Sequence, residues 1–133
     1  MTAATRPYLA AERRKPLIVE TALALAARRE PAAITTAAIA REMGLTQGAL
    51  FRHFASKDDI WTAVVEWTRE TLLARLDAAA EAAGAPLAAL EAMFLAHAGF
   101  VLDHPGVPRI VFAELQRPDP TPAREAARAL MEA

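Results

Sequence analysis

Residues 44–59 read GLTQGALFRHFASKDD, an order that suits one helix stopping, a tight turn, and a second helix entering at a set angle. Gly44 takes a left-handed conformation at a helix end without steric cost, Leu45 is an apolar anchor, and Thr46 is an N-cap. Leu45, just before that cap, and Leu50, four positions after it, form the pair of a hydrophobic staple. At about 100° per residue Leu50 and Phe54 point to a core. Gly48, Ala49 and Arg52 are left on the opposite side, with Phe51 and His53 on the two flanks. Ser56 then caps a further helix, with Asp59 in the place of the reciprocal acid and Lys57 beside the positive helix end.

Upstream, Ile39, Ala40 and Met43 make the inward face of a short helix that Thr35 caps and Gly44 ends. Before it, Leu17, Ile18, Thr21, Ala22 and Leu25 form one stripe of a helix whose expected first position is Pro16, where a missing N–H costs nothing. Arg28 and Arg29 fall at its C-terminal end. Downstream, helices are expected from Ser56 to about residue 82, from Pro86 to about 103, from about 106 to 116, and from Thr121 onward. No segment alternates with period two, so the fold class is all-α.

At 133 residues and 54% apolar content, with nine prolines spread along it, the chain suits one globular domain, or one complete unit plus part of another. The absence of cysteine excludes disulfides and thiolate metal sites. The first sixteen residues carry no apolar export region, and the most apolar window, 85–102, holds Glu91 and His97. A soluble, cytoplasmic protein without a membrane span is expected. Ser56 is the only serine and serves as a cap, and the chain has no G-x-S-x-G, Gly-rich phosphate loop or H-E-x-x-H, so neither an enzyme nor a cofactor is expected. His97 and His104, seven apart with no third ligand cluster, do not make a metal site. Asp58 and Asp59 are the acids expected in a first helical turn, and Glu66 and Glu70 are a solvated pair.

The formal charge of −1 hides a division. Residues 1–57 hold nine Lys+Arg against four Asp+Glu, whereas 58–133 hold six against twelve, so a +5 half precedes a −6 half. Such a basic half draws phosphates. Small residues at 48 and 49 let a backbone approach closely, and the Ala49 methyl can touch a thymine methyl. Gln47 can pair with adenine and Arg52 with guanine, while His53 offers a phosphate donor. A lysine at a helix N-terminus is electrostatically awkward, and Lys57 makes sense there if a phosphate joins it.

The segment ITTAAIAREMGLTQGALFRHFASKDDIW resembles the DNA-binding signature of the tetracycline-repressor-like (TetR/AcrR) family of transcriptional regulators. The resemblance covers roughly residues 15–67. It implies that Thr36 and Ala37 open the second helix at the DNA, and that Thr46, Gln47, Gly48, Ala49 and Arg52 face bases or adjacent backbone. Phe51, His53 and Lys57 would meet phosphates. Phe51 stands where the family often carries a tyrosine and has no hydroxyl to donate, and Ala37 stands where a longer polar residue is common. The domains so implied are an N-terminal arm and helix-turn-helix head over 1–57, then a helical ligand-binding and dimerisation domain over 58–133.

The resemblance further implies a homodimer that reads a palindromic double-stranded operator, and a repressor released by a small-molecule effector. The helix from Ser56 is then a lever between Lys57 and Leu76. The segment PLAALEAMFLAHAGFVLDH is apolar nearly all round and reads as a central helix. Trp61, Met93, Phe94, His97 and Phe100 are candidates to line the effector pocket. The chain closes on ARALMEA after the loop RPDPTP without a C-terminal cap, whereas the family continues through two further long helices. The expectation is a regulatory domain truncated at its C-terminus, exposing Ile110, Val111, Leu115 and Leu130. The alternative from a different class is a helical interaction module whose basic face binds an acidic partner, separable from duplex binding by its salt dependence.

Overall fold

The computed structural model describes residues 6–133, with side chains from Arg13 onward; the first five residues of the N-terminal arm lie outside the described residues. Helices α1 (Arg6–Ala26), α2 (Thr36–Glu42) and α3 (Gln47–Phe51) come first, with a 3₁₀ turn at Pro31–Ala33 between α1 and α2. Helices α4 (Lys57–Ala83), α5 (Pro86–Asp103), α6 (Gly106–Leu115) and α7 (Pro122–Glu132) follow. Among the described residues there is no strand, as the periodicity requires.

Four starts are fixed by hydroxyl caps. Thr35 Oγ1 accepts from the Ala38 amide at 3.0 Å, Thr46 Oγ1 from Ala49 at 3.1 Å, Ser56 Oγ from Asp59 at 3.2 Å, and Thr121 Oγ1 from Arg124 at 3.1 Å. Each satisfies an amide that has no partner within its own helix. Gly44 closes α2 at φ +68°, a left-handed backbone that a β-carbon would strain.

The start of α1 differs from expectation. Pro16 lies inside α1 rather than opening it. The preceding YLAAERRK is rich in good helix formers, and the helix carries the proline at the loss of one internal hydrogen bond. The buried stripe is also rotated: Ile18, Val19, Ala22, Leu23, Leu25 and Ala26 face inward, while Leu17 is 45% exposed.

These α1 side chains share one continuous core with Ile39 and Ala40 of α2, Leu50 of α3, and Ile60, Trp61, Val64 and Val65 of α4. Helix α4, 27 residues and about 40 Å long, runs from this head into the packing with α5 and α7. Helix α6 returns to α1 so closely that a β-carbon on Gly106 would collide with the Leu23 carbonyl. Arg109 Nη1 donates to the Ala26 and Ala27 carbonyls at 3.1 and 3.2 Å, closing the C-terminal end of α1.

Two expectations about the body are overturned. Helix α5 is not central: only Phe100 of its residues is buried, and Leu87, Leu90, Phe94, Leu95 and Leu102 are exposed. Its main packing is on α4, through one face, which leaves its remaining apolar faces uncovered. Ile110 and Val111 are instead buried, and Leu115 and Leu130 pack against the core, because α6 and α7 cover each other and α4.

Candidate nucleic-acid interface

The α2–α3 unit is set by short-range chemistry. The Leu45 amide donates to the Ala40 carbonyl at 2.8 Å and the Gly44 amide to Arg41 at 3.1 Å, so the turn folds back on α2. Leu45 packs against the core, and Leu50 and Phe54 are buried, so α3 is fastened on that side. The Phe54 amide still donates to the Leu50 carbonyl at 3.2 Å, extending the helical turn past Phe51.

The opposite side is open. Thr46, Gln47, Gly48 and Arg52 are exposed, Ala49 is half-buried, and Phe51 is 45% exposed. A β-carbon on Gly48 would meet nothing nearer than Thr46 Oγ1 at 3.9 Å. No internal packing therefore calls for a glycine at 48. Gln47 Nε2 donates to Thr36 Oγ1 at 3.3 Å, tying the first residue of α3 to the first of α2. Thr36 and Ala37 are half-buried on the same rim. Exposed Arg28, Arg29 and Arg41 widen the basic surface, with Arg28 paired to Glu42 at 3.2 Å.

His53 and Lys57 are placed less openly. His53 is half-buried beside a groove whose walls include Lys15, Phe54 and Asp59. Lys57 turns inward: its Nζ donates to the Ala32 carbonyl at 3.4 Å and stands 5.6 Å over the Trp61 ring. Burial pushes the Lys57 ammonium below the usual lysine range, opposed by the nearby Asp58 and Glu114 carboxylates.

Beside it lies a feature that sequence reasoning missed. Arg117, just beyond α6, donates to Asp58 Oδ1 at 2.7 Å and to Glu114 Oε2 at 3.3 Å. Glu114 is 3% exposed, and burial raises its carboxyl above the ordinary range against the opposing pull of Arg117. The hydrogen bond to Asp58 holds the Arg117 guanidinium still more firmly charged. The available signal was the one acid on the mostly apolar GVPRIVFAEL, three residues before an arginine.

The five candidate effector residues are not brought together. Trp61 is buried at the α4–α6 junction, in a cavity shared with Lys57 and Glu114. Phe94 is 74% exposed and His97 exposed, Met93 is half-buried, and Phe100 belongs to the core, in a three-ring cluster with Trp67 and His104. Trp61 lies on α4, and α5, packed through one face, cannot point its four candidates at one space. A cavity of about 440 Å³ lies elsewhere, between α1 and the α5–α6 turn, lined by Val19, Leu23, Trp67, His104 and Gly106 among others. No cluster of metal-ligating side chains occurs among the described residues.

Residues 18–64 match the family model described as bacterial regulatory proteins, tetR family. The chain is 33% identical over 83 residues to the nucleoid occlusion factor SlmA of Marinomonas sp., covering 62% of this chain and 42% of that protein. It is 29% identical over 99 residues to SlmA of Aliivibrio fischeri, covering 74% and 50%. The chain thus spans about half the length of the curated relatives it matches. Among solved structures, the ketosteroid transcriptional regulator KstR2 of Mycobacterium tuberculosis superposes with a TM-score of 0.76 at 27% identity, covering 90% of this chain and 61% of that one.

Proposed function

We propose, on the premise that the chain belongs to the tetR family of bacterial regulatory proteins, that it is a sequence-specific transcriptional regulator that binds double-stranded DNA. Its head, residues 1–57, lays α3 in the major groove. The observation that carries this reading is the two-sided character of α3: Leu50 is buried while Gly48 and Arg52 face solvent. That polarity is what a groove-bound helix needs, with base edges met at the centre and phosphates at the flanks. Gln47 and Arg52 carry base choice, and Thr36, Ala37, Thr46, Gly48, Ala49 and Phe51 shape the approach. His53 and Lys57 meet the phosphate walls.

Residues 58–133 form the regulatory part. A homodimer reads a palindromic operator in the cytoplasm, and a small effector releases it as a repressor. The effector part of the reading draws on the cavity between α1 and the α5–α6 turn, whose volume suits a small molecule and whose walls belong to both head and body. Occupancy there would bias the head's position directly.

Selection of bound duplexes from a random pool tests the reading. A palindromic sequence should be enriched, and Arg52→Ala should relax choice at one base pair, costing about 1–3 kcal/mol there. A pool without enrichment overturns it, and equal loss on every duplex from Arg52→Ala removes the base-reading role.

A further inference from the structure

Among the described residues, Lys57 is held by neutral groups alone, the Ala32 carbonyl at 3.4 Å and the Trp61 ring. Two carboxylates lie within its field, Asp58 and Glu114, and both are occupied by Arg117 at 2.7 and 3.3 Å. This division of partners has a consequence for phosphate binding. A carbonyl contact at the long end of the hydrogen-bond range exchanges readily for a phosphate. A partly buried ion pair with Glu114 would not, since breaking it strands a buried charge.

We propose that Arg117 is a positioning residue for Lys57: by pairing with Asp58 and Glu114 it keeps the buried Glu114 carboxylate from capturing the Lys57 ammonium, which stays free to turn outward to an anion. Arg117 and Glu114 belong to α6 and its end, whereas Asp58 and Lys57 open α4. The consequence for DNA rests on the duplex-binding reading; the competition for carboxylates does not.

Lys15 and Lys57 are the only two lysines in the chain, so competitive acetylation read by mass spectrometry reports Lys57 with Lys15 as internal standard. In the full chain, Arg117→Met should lower the Lys57-to-Lys15 labelling ratio several-fold, because ion pairing keeps the amine protonated. The double variant Glu114→Gln, Arg117→Met removes the capturing carboxylate and should restore the ratio, which a mere loss of local structure would not do. An unchanged ratio in Arg117→Met, or no restoration in the double variant, overturns the proposal. Circular dichroism melts of both variants confirm that folded protein is compared.

In the duplex arm, Arg117→Met should flatten the salt dependence by about one phosphate contact, as Lys57→Ala does, and the double variant should recover it. Added to Lys57→Ala, Arg117→Met should change the slope no further. A labelling change without a slope change overturns the phosphate role of Lys57. If the unmodified chain binds no duplex at any salt, the DNA reading falls, and the labelling ratio still decides the competition.

Discussion

At the scale of single residues, Glu114 is a buried side chain whose chemistry departs from its type. It sits 3% exposed at the α4–α6 junction, and burial raises its carboxyl from the ordinary 4.5, with Arg117 pulling the other way. The sign of the effect on stability follows. Between 4.5 and the folded value the native chain binds more protons at this site than the unfolded chain, so stability falls as pH rises through that window. The stabilising contribution of the retained proton is complete below 4.5 and gone above the folded value. Glu114→Gln mimics the protonated form at every pH. Its melting temperature should match the parent's near about pH 4 and exceed it by a widening margin toward about pH 7. Thermal melts across that range check this, and a margin that narrows toward neutrality would show that the pair with Arg117 outweighs burial.

At the scale of elements, the caps dominate. Helix α3 has only five residues, too short to hold itself together, so its entry depends on Thr46 and on the Leu45 and Leu50 anchors. Thr46→Ala should cost about 1 kcal/mol in urea unfolding, and Thr46→Ser should recover most of it. These features were legible because each is local: a hydroxyl three residues before the amide it accepts from, a glycine where φ turns positive, leucines at fixed offsets. The boundaries of α4 and α5 followed from the same signals, Ser56 at one and Pro86 at the other. The continuation of α1 through Pro16 was outweighed in the reading by the proline itself, although the helix formers before it are local. What else was not legible depends on neighbours distant in sequence: the exposure of Leu17 and the inward turn of Lys57 are settled by which helices cover which faces. The Arg117–Asp58 pair joins residues 59 apart, and no spacing rule reaches that far.

At the scale of the whole molecule, the open question is how the apolar surface is distributed. Sequence pattern makes α5 hydrophobic all round, which usually marks a central helix, yet the tertiary arrangement packs it mainly on α4 and leaves Leu87 80% and Phe94 74% exposed. Pattern alone cannot separate a helix enclosed by the body from one lying against it, because both read as uninterrupted apolar residues. The energetic difference is large and measurable. Phe100 is fully buried in contact with Trp67 and His104, so Phe100→Ala should cost about 3–5 kcal/mol through lost burial and the cavity left behind. Phe94, six residues earlier on the same helix, has little burial to lose, and Phe94→Ser should change stability by less than about 0.5 kcal/mol. The same substitution should lower the binding of a hydrophobic dye to the folded chain, since it removes the largest side chain of an exposed apolar patch. Urea unfolding of the two variants, read beside dye fluorescence, separates the two arrangements. Comparable losses from both would place Phe94 in a packed interface, and a loss confined to Phe100 matches the one-sided packing of α5 on α4.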